Sequence, residues 1–207
     1  MKLPHAAAVA AMAMALLLLT SGYLAAQEEI TPYSRTVKES RAWIGLRGGQ
    51  FLPGDDVLRE VYGTGGLLLG LTAGLDIHRS GSFALAAAVD AGRFSRTGAS
   101  TLSGIPASLT LVPVAASIQA RFGAGGLAFW LEAGGKIVFY TEDSEWALSR
   151  GSALGFLAGG GAELALGSGP ALQAFVRWSQ AEEKMDGFTV HLGGWEIGAS
   201  LVYRFRI

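Results

Sequence analysis

Residues 127–140, LAFWLEAGGKIVFY, divide into two chemically distinct sets when every second position is read. One set is Leu127, Phe129, Leu131, Ala133, Gly135, Ile137 and Phe139. The other is Ala128, Trp130, Glu132, Gly134, Lys136, Val138 and Tyr140. A strand turns successive side chains to opposite faces, so a period of two makes one apolar face and one mixed face. A helix would scatter the same residues around its circumference. The pattern recurs. Leu67, Leu69, Leu71, Ala73, Leu75 and Ile77 alternate with Leu68, Gly70, Thr72, Gly74, Asp76 and His78. Trp195, Ile197, Ala199, Leu201, Tyr203, Phe205 and Ile207 alternate with Glu196, Gly198, Ser200, Val202, Arg204 and Arg206.

Eight such segments run at about 41–51, 65–78, 82–94, 108–122, 126–140, 152–166, 171–180 and 190–207. Long connections (52–64, 95–107, 141–151, 181–189) alternate with short ones (79–81, 123–125, 167–170). An even strand number with alternating short and long loops predicts an all-β fold, an eight-stranded antiparallel up-and-down barrel.

Such a barrel can hold its apolar face inside, around an apolar ligand, or outside, against lipid. Volume decides between them. Eight strands enclose an interior that side chains nearly fill. The larger apolar set would be crowded there, whereas the set rich in Gly, Ala, Ser and scattered charge fits. With only 16% charged residues and a mean hydropathy of +0.36, the second set would also make a poor water-facing surface. The expectation is a transmembrane barrel. In hydrocarbon every backbone N–H and C=O needs a partner, which closure of the sheet supplies.

The first residues, MKLPHAAAVAAMAMALLLLTSGYLAA, read as a signal peptide over 1–26. Lys2 opens it, an apolar run follows, and Leu24, Ala25 and Ala26 form a cleavage site before Gln27. Residues 27–40 read as a flexible periplasmic lead-in and 41–207 as the barrel domain. Cysteine is absent, which excludes disulfides, thiolate metal sites, a Cys nucleophile and a lipidated Cys. The net charge of −1 offers no basic patch for nucleic acid.

Taking the short turns as periplasmic, aromatic residues of the apolar phase fall at strand ends. Phe83, Phe122, Phe129, Tyr203 and Phe205 lie at the inner ends, and Phe139, Phe156, Trp178 and Trp195 at the outer ends. Two girdles at two interfaces are the membrane-barrel arrangement. On these residues the segment 41–207 resembles small bacterial outer-membrane barrels of the OmpA/OmpX type. The stretches FLPGDDVLREVYGTGG (51–66) and LVPVAASIQARF (111–122) look like the group known only as outer-membrane β-barrel domain proteins. The resemblance implies location in the cell outer membrane as a multi-pass barrel. It implies contact with outer-membrane lipid including lipopolysaccharide, and recognition by the barrel assembly machinery through Tyr203, Phe205 and Ile207. Barrels of that type usually end on an aromatic residue, and this chain ends on Ile207.

The inward phase carries Arg47, Asp76, Asp90, Arg121, Glu132, Lys136, Glu163, Arg177 and Glu196. Arg47 is placed inside because a lipid-facing Arg at mid-strand costs about 2–4 kcal/mol. Buried charges must be paired, so a mutually neutralised plug is expected. Glu132, Lys136, Glu163 and Arg177 are expected to form one network near mid-depth, with Trp43 and Trp130 narrowing the interior. The alternative is a narrow gated path for small solutes. The loop PGDDVLREVYG (53–63) reads as a short helix capped by Asp55 or Asp56 and ended by Gly63, with Leu58, Val61 and Tyr62 over the mouth. Two adjacent carboxylates do not make a Ca²⁺ site, so no metal and no cofactor is expected. The acidic loops at 141–150 and 181–187 carry Trp146 and Met185 and offer a surface for an unknown partner.

Some eight-stranded outer-membrane barrels modify lipid, which makes a lipid-modifying enzyme the third reading. His78 on a short turn with Ser80, and His191 near Ser179, provide the only histidines after position 26. Neither sits in a recognisable motif, and no enzyme is expected. Finally, Pro113 removes a ladder donor in a barrel without edges, so a bulge is expected at 111–114.

Overall fold

A computed structural model describes residues 41–99, 104–124, 126–144, 148–185 and 188–207. The expected signal peptide (1–26) and lead-in (27–40) lie outside the described residues, as does Trp146. The elements are β1 (Arg41–Pro53), α1 (Asp56–Tyr62), β2 (Gly66–Ser80), β3 (Phe83–Ala99), β4 (Pro106–Ala124), β5 (Leu127–Ser144), β6 (Leu148–Ala165), β7 (Pro170–Met185), β8 (Phe188–His191) and β9 (Gly194–Arg206). Each strand from β1 to β7 pairs antiparallel with the next. β9 then pairs with both β7 and β1, which closes a ring of eight strands.

The segment expected as one strand over 190–207 is broken. β8 pairs only with the outer end of β7, and β9 carries the barrel wall. Leu192 turns into the interior at the break. The wall then passes so close to β1 that a Cβ on Gly194 would stand 2.1 Å from the Leu52 carbonyl oxygen. Gly54 N–H donates to the Gly193 carbonyl at 3.0 Å, tying the break to the start of the 53–63 loop.

Two further expectations are corrected. Most of 95–107, 141–151 and 181–189 is paired strand rather than loop, with Ala99↔Pro106 and Asp143↔Leu148 as terminal partners. The hairpins therefore extend well past the apolar belt. Pro113 causes no bulge either. Ala91↔Val114 and Phe94↔Leu111 keep one register, and only the two intervening pairings are lost. On the other side Pro113 stays in line with Val138. The lost donor is absorbed as a local gap. The bulge lies instead in β2 between Asp76 and His78.

The phase holds around the ring, apart from the short-turn end of β2 beyond the bulge. Leu46, Leu69, Leu131, Leu154 and Leu201 are exposed outward, Leu154 at 73%. Arg47, Thr72, Asp90, Gln119, Glu132 and Arg177 are buried inside. A water-soluble barrel would not leave such a continuous apolar exterior around a charged interior. The exterior fits lipid, and the fold is a transmembrane β-barrel. No described helix is long and apolar enough to cross a membrane.

Candidate functional site

The interior is built in three levels, and strand register sets their order. At the long-hairpin end, Asp55 caps α1 by accepting from Val57 N–H at 2.8 Å and Leu58 N–H at 3.2 Å. Gly63, at a φ of 84°, ends the helix and donates its N–H to the Arg59 carbonyl at 2.9 Å. This geometry turns Leu58 and Tyr62 down into the mouth, where they join Phe51, Leu68, Phe94 and Leu111 in one apolar cluster. Val61 packs against its edge. The Tyr62 hydroxyl donates to Glu142 Oε1 at 2.5 Å, and Arg96 Nε donates to the Tyr62 carbonyl at 3.3 Å. Burial raises the Tyr62 pKa, and the neighbouring Glu142 carboxylate raises it further. The loop is a lid seated on an apolar plug.

Below the plug, three cations meet three carboxylates. Arg47 on β1 donates to Asp90 on β3 and Glu196 on β9. Lys136 on β5 reaches Glu196 Oε1 at 2.9 Å and the Ser179 hydroxyl at 2.9 Å. Arg177 on β7 reaches Asp90 Oδ1 at 3.1 Å and Glu132 Oε2 at 3.0 Å. The ring of Phe175 lies between two of them, 5.0 Å from the Arg47 guanidinium and 5.3 Å from that of Arg177. Each ion has an opposite charge within hydrogen-bond reach, so the cost of burying it is offset by its partners.

Glu163 stands apart from this group. Register places it beside Ala128, four residues along β5 from Glu132 toward the short turns. There it accepts from Arg204 at 2.6 Å and Gln173 at 2.7 Å. The link to the upper group runs through a neutral side chain. Gln119 donates to Glu132 at 3.2 Å and accepts from Arg121 at 2.8 Å. Thus Glu132, Lys136 and Arg177 share one set of ion pairs, whereas Glu163 belongs to a second set. The interior partners not foreseen were Gln119, Gln173 and Phe175, whereas Ser179 was expected beside His191, and Arg204 only as a member of the mixed face. All lie on the inward phase, so the alternation alone could have nominated them.

At the short-turn end, periplasmic in barrels of this kind, the interior opens into a vestibule of about 790 Å³. Its lining includes Arg79, Arg121, Glu163 and Arg204. Trp43 is buried above it, with the Arg121 guanidinium 3.9 Å from its ring centroid.

The outward aromatic residues are arranged in rows. Phe83, Phe122 and Phe129 are successive partners across β3, β4 and β5. Tyr203, Phe205 and Ile207 are exposed at the end of the chain. Toward the hairpins, Phe156 meets Trp178 edge-on at 5.3 Å, and Trp178 pairs with Trp195. Phe139 is half-buried on the outward phase of β5.

The two histidines do not face the interior. The β2 bulge leaves Ile77 unpaired and sets His78 opposite Leu85, so the phase flips and His78 turns outward. Arg79 turns inward in its place and bonds Asp76 at 2.6 Å. His191 is exposed beside Glu182 at 3.1 Å. The Ser179 hydroxyl is bonded inside to Lys136 and, at 3.4 Å, to the Gly194 carbonyl.

No family model matches the chain, and no curated protein matches it by sequence. Solved structures do. The outer membrane protein OprG from Pseudomonas aeruginosa aligns at a TM-score of 0.57 and 11% identity, over 81% of this chain and 97% of that one. Neisserial surface protein A aligns at 0.55 and 14% identity, again over 81% and 97%. At these identities the likeness concerns the fold: this chain has the architecture of the small, multi-pass outer-membrane β-barrels.

Proposed function

We propose that the protein is an integral outer-membrane barrel with a structural or surface-interaction role, and that its long hairpins are the contact surface. One observation carries this reading. The interior is filled from the lid to the charged level, by the apolar cluster under α1 and then by paired ions. Side chains that fill the lumen stiffen the wall and leave contact chemistry to the extended ends of β3–β8. Outer-membrane lipid, lipopolysaccharide included, is the proposed surround of the apolar belt. The exposed Tyr203, Phe205 and Ile207 are the proposed signal for barrel assembly.

A non-catalytic role is part of the proposal. It is supported by the separate engagements of Ser179 with Lys136 and of His191 with Glu182. The test is current recording from the purified barrel in planar bilayers, alongside binding of intact cells to host or bacterial surfaces with and without the hairpins. The proposal expects a silent bilayer and hairpin-dependent adhesion. Regular conductance steps that grow when Tyr62 is replaced by Ala would favour a gated solute path instead. A change in lipid A mass caused by the protein would favour an enzyme.

A further inference from the structure

The short-turn vestibule contains a cation with too little to hold it. Arg121 is 5% exposed. Among the described residues its Nε and Nη2 bond only the neutral Gln119 oxygen, at 3.2 and 2.8 Å. Its Nη1 has no hydrogen-bond partner among the described residues. The carboxylate it faces, Glu163, is 3.9 Å away and already takes bonds from Arg204 and Gln173. A buried guanidinium short of an anion is costly unless one arrives.

Its surroundings have the same sign. Arg41, Arg79, Arg121 and Arg204 line the vestibule, against Glu163 in the lining and Asp76 behind Arg79. Among the described residues that leaves an excess of two positive charges, even without Arg206. A low-dielectric wall around such an excess concentrates anions. The guanidinium fork matches the oxygens of a phosphate group, taking two at once. The volume, about 790 Å³, is that of a small-molecule site.

We propose that this vestibule binds a phosphate group, carried by a small soluble ester or by a phospholipid headgroup of the inner leaflet, with Arg121 as its central ligand and Arg79 and Arg204 beside it. The site lies at the opposite end from the surface role proposed above and is independent of it.

The test uses the mature barrel in a neutral detergent, with sodium pyrophosphate as the probe and sodium chloride matching ionic strength. Calorimetry is expected to show saturable binding, and pyrophosphate is expected to raise the thermal unfolding midpoint. Arg121→Gln weakens binding about tenfold or more, while Arg150→Gln at the far end does not. In the absence of probe, Arg121→Gln is at least as stable as the parent, because it removes an unmatched charge. If that variant does not fold, Arg79→Gln provides the second comparison, with weakened binding again expected. The source is read from vesicles. Phosphatidylglycerol that blocks pyrophosphate in the parent but not in the variant identifies the headgroup, and unaltered pyrophosphate binding identifies a soluble ester. Absence of any shift in the parent, or equal binding by Arg121→Gln, overturns the proposal.

Discussion

The indole of Trp43 lies against Gly74 of the neighbouring strand, where a Cβ would stand 2.1 Å from ring atom Cζ2. The two residues are direct partners in the β1–β2 ladder. The ring cannot retreat, because it is 1% exposed and has the Arg121 guanidinium on its face. Gly74→Ala is therefore an overpacking change. It is expected to lower stability by about 1–3 kcal/mol, read as the urea unfolding midpoint in micelles. A neutral result would mean that the indole has another place to go.

Arg177 holds Glu132 and shares Asp90 with Arg47. Arg177→Met leaves Glu132 buried with only neutral donors, Ser117 and Gln119. The expected loss is about 3–5 kcal/mol. Adding Glu132→Gln should recover much of it, because the uncompensated charge goes too. A double-mutant unfolding cycle measures the recovery.

Tyr62 couples the lid to the β5 hairpin through Glu142. Tyr62→Phe keeps the packing and removes the bond to a carboxylate, for an expected cost of about 1.5–3 kcal/mol. Faster amide exchange in 56–62 than in the strands reports it. The pH dependence follows from the raised phenol pKa. A raised value in the fold means stability that is complete below the free phenol value of about 10 and is lost as pH climbs through the folded value. The phenolate absorbance missing from Tyr62→Phe should thus emerge only above the range where ordinary tyrosines ionise. Emergence below that range would contradict the Tyr62–Glu142 contact.

Leu131 is exposed on the outward face of β5, and Glu132 beside it is buried. Leu131→Arg in a bilayer is expected to cost about 2–4 kcal/mol. The same substitution at Arg59's exposed neighbour Glu60 on α1 should change little. Comparable costs at both sites would remove the distinction between lipid and water on which the orientation rests.

The alternation made the inward and outward sets legible residue by residue, because one face meets hydrocarbon and the other a narrow lumen. It failed where that contrast stops. In SRTGA (95–99) both faces are wet, so the hydrophobic period disappears although the ladder continues to Ala99. The bulge after Asp76 has no Gly or Pro to announce it, and that single extra residue reversed His78. Pro113 announced a bulge that the closed ladder did not need, since the partner strands hold the register on both sides. Glu163 shared a phase with Glu132 but not a depth, and depth depends on register between strands, which a single strand's pattern does not carry.

The central claim, that the apolar face meets lipid and the charged face is sealed from it, can be tested with the protein's own tryptophans. Trp195 is half exposed outward, whereas Trp43 and Trp130 are buried inside the ring. Three single-tryptophan proteins, each retaining one of these residues with phenylalanine at the others, would be folded into vesicles of phospholipid brominated near the headgroup end of its chains. Strong quenching of Trp195 with little of Trp43 and Trp130 is the expected result. Quenching of Trp43 and Trp130 but not Trp195, or of none, would contradict it.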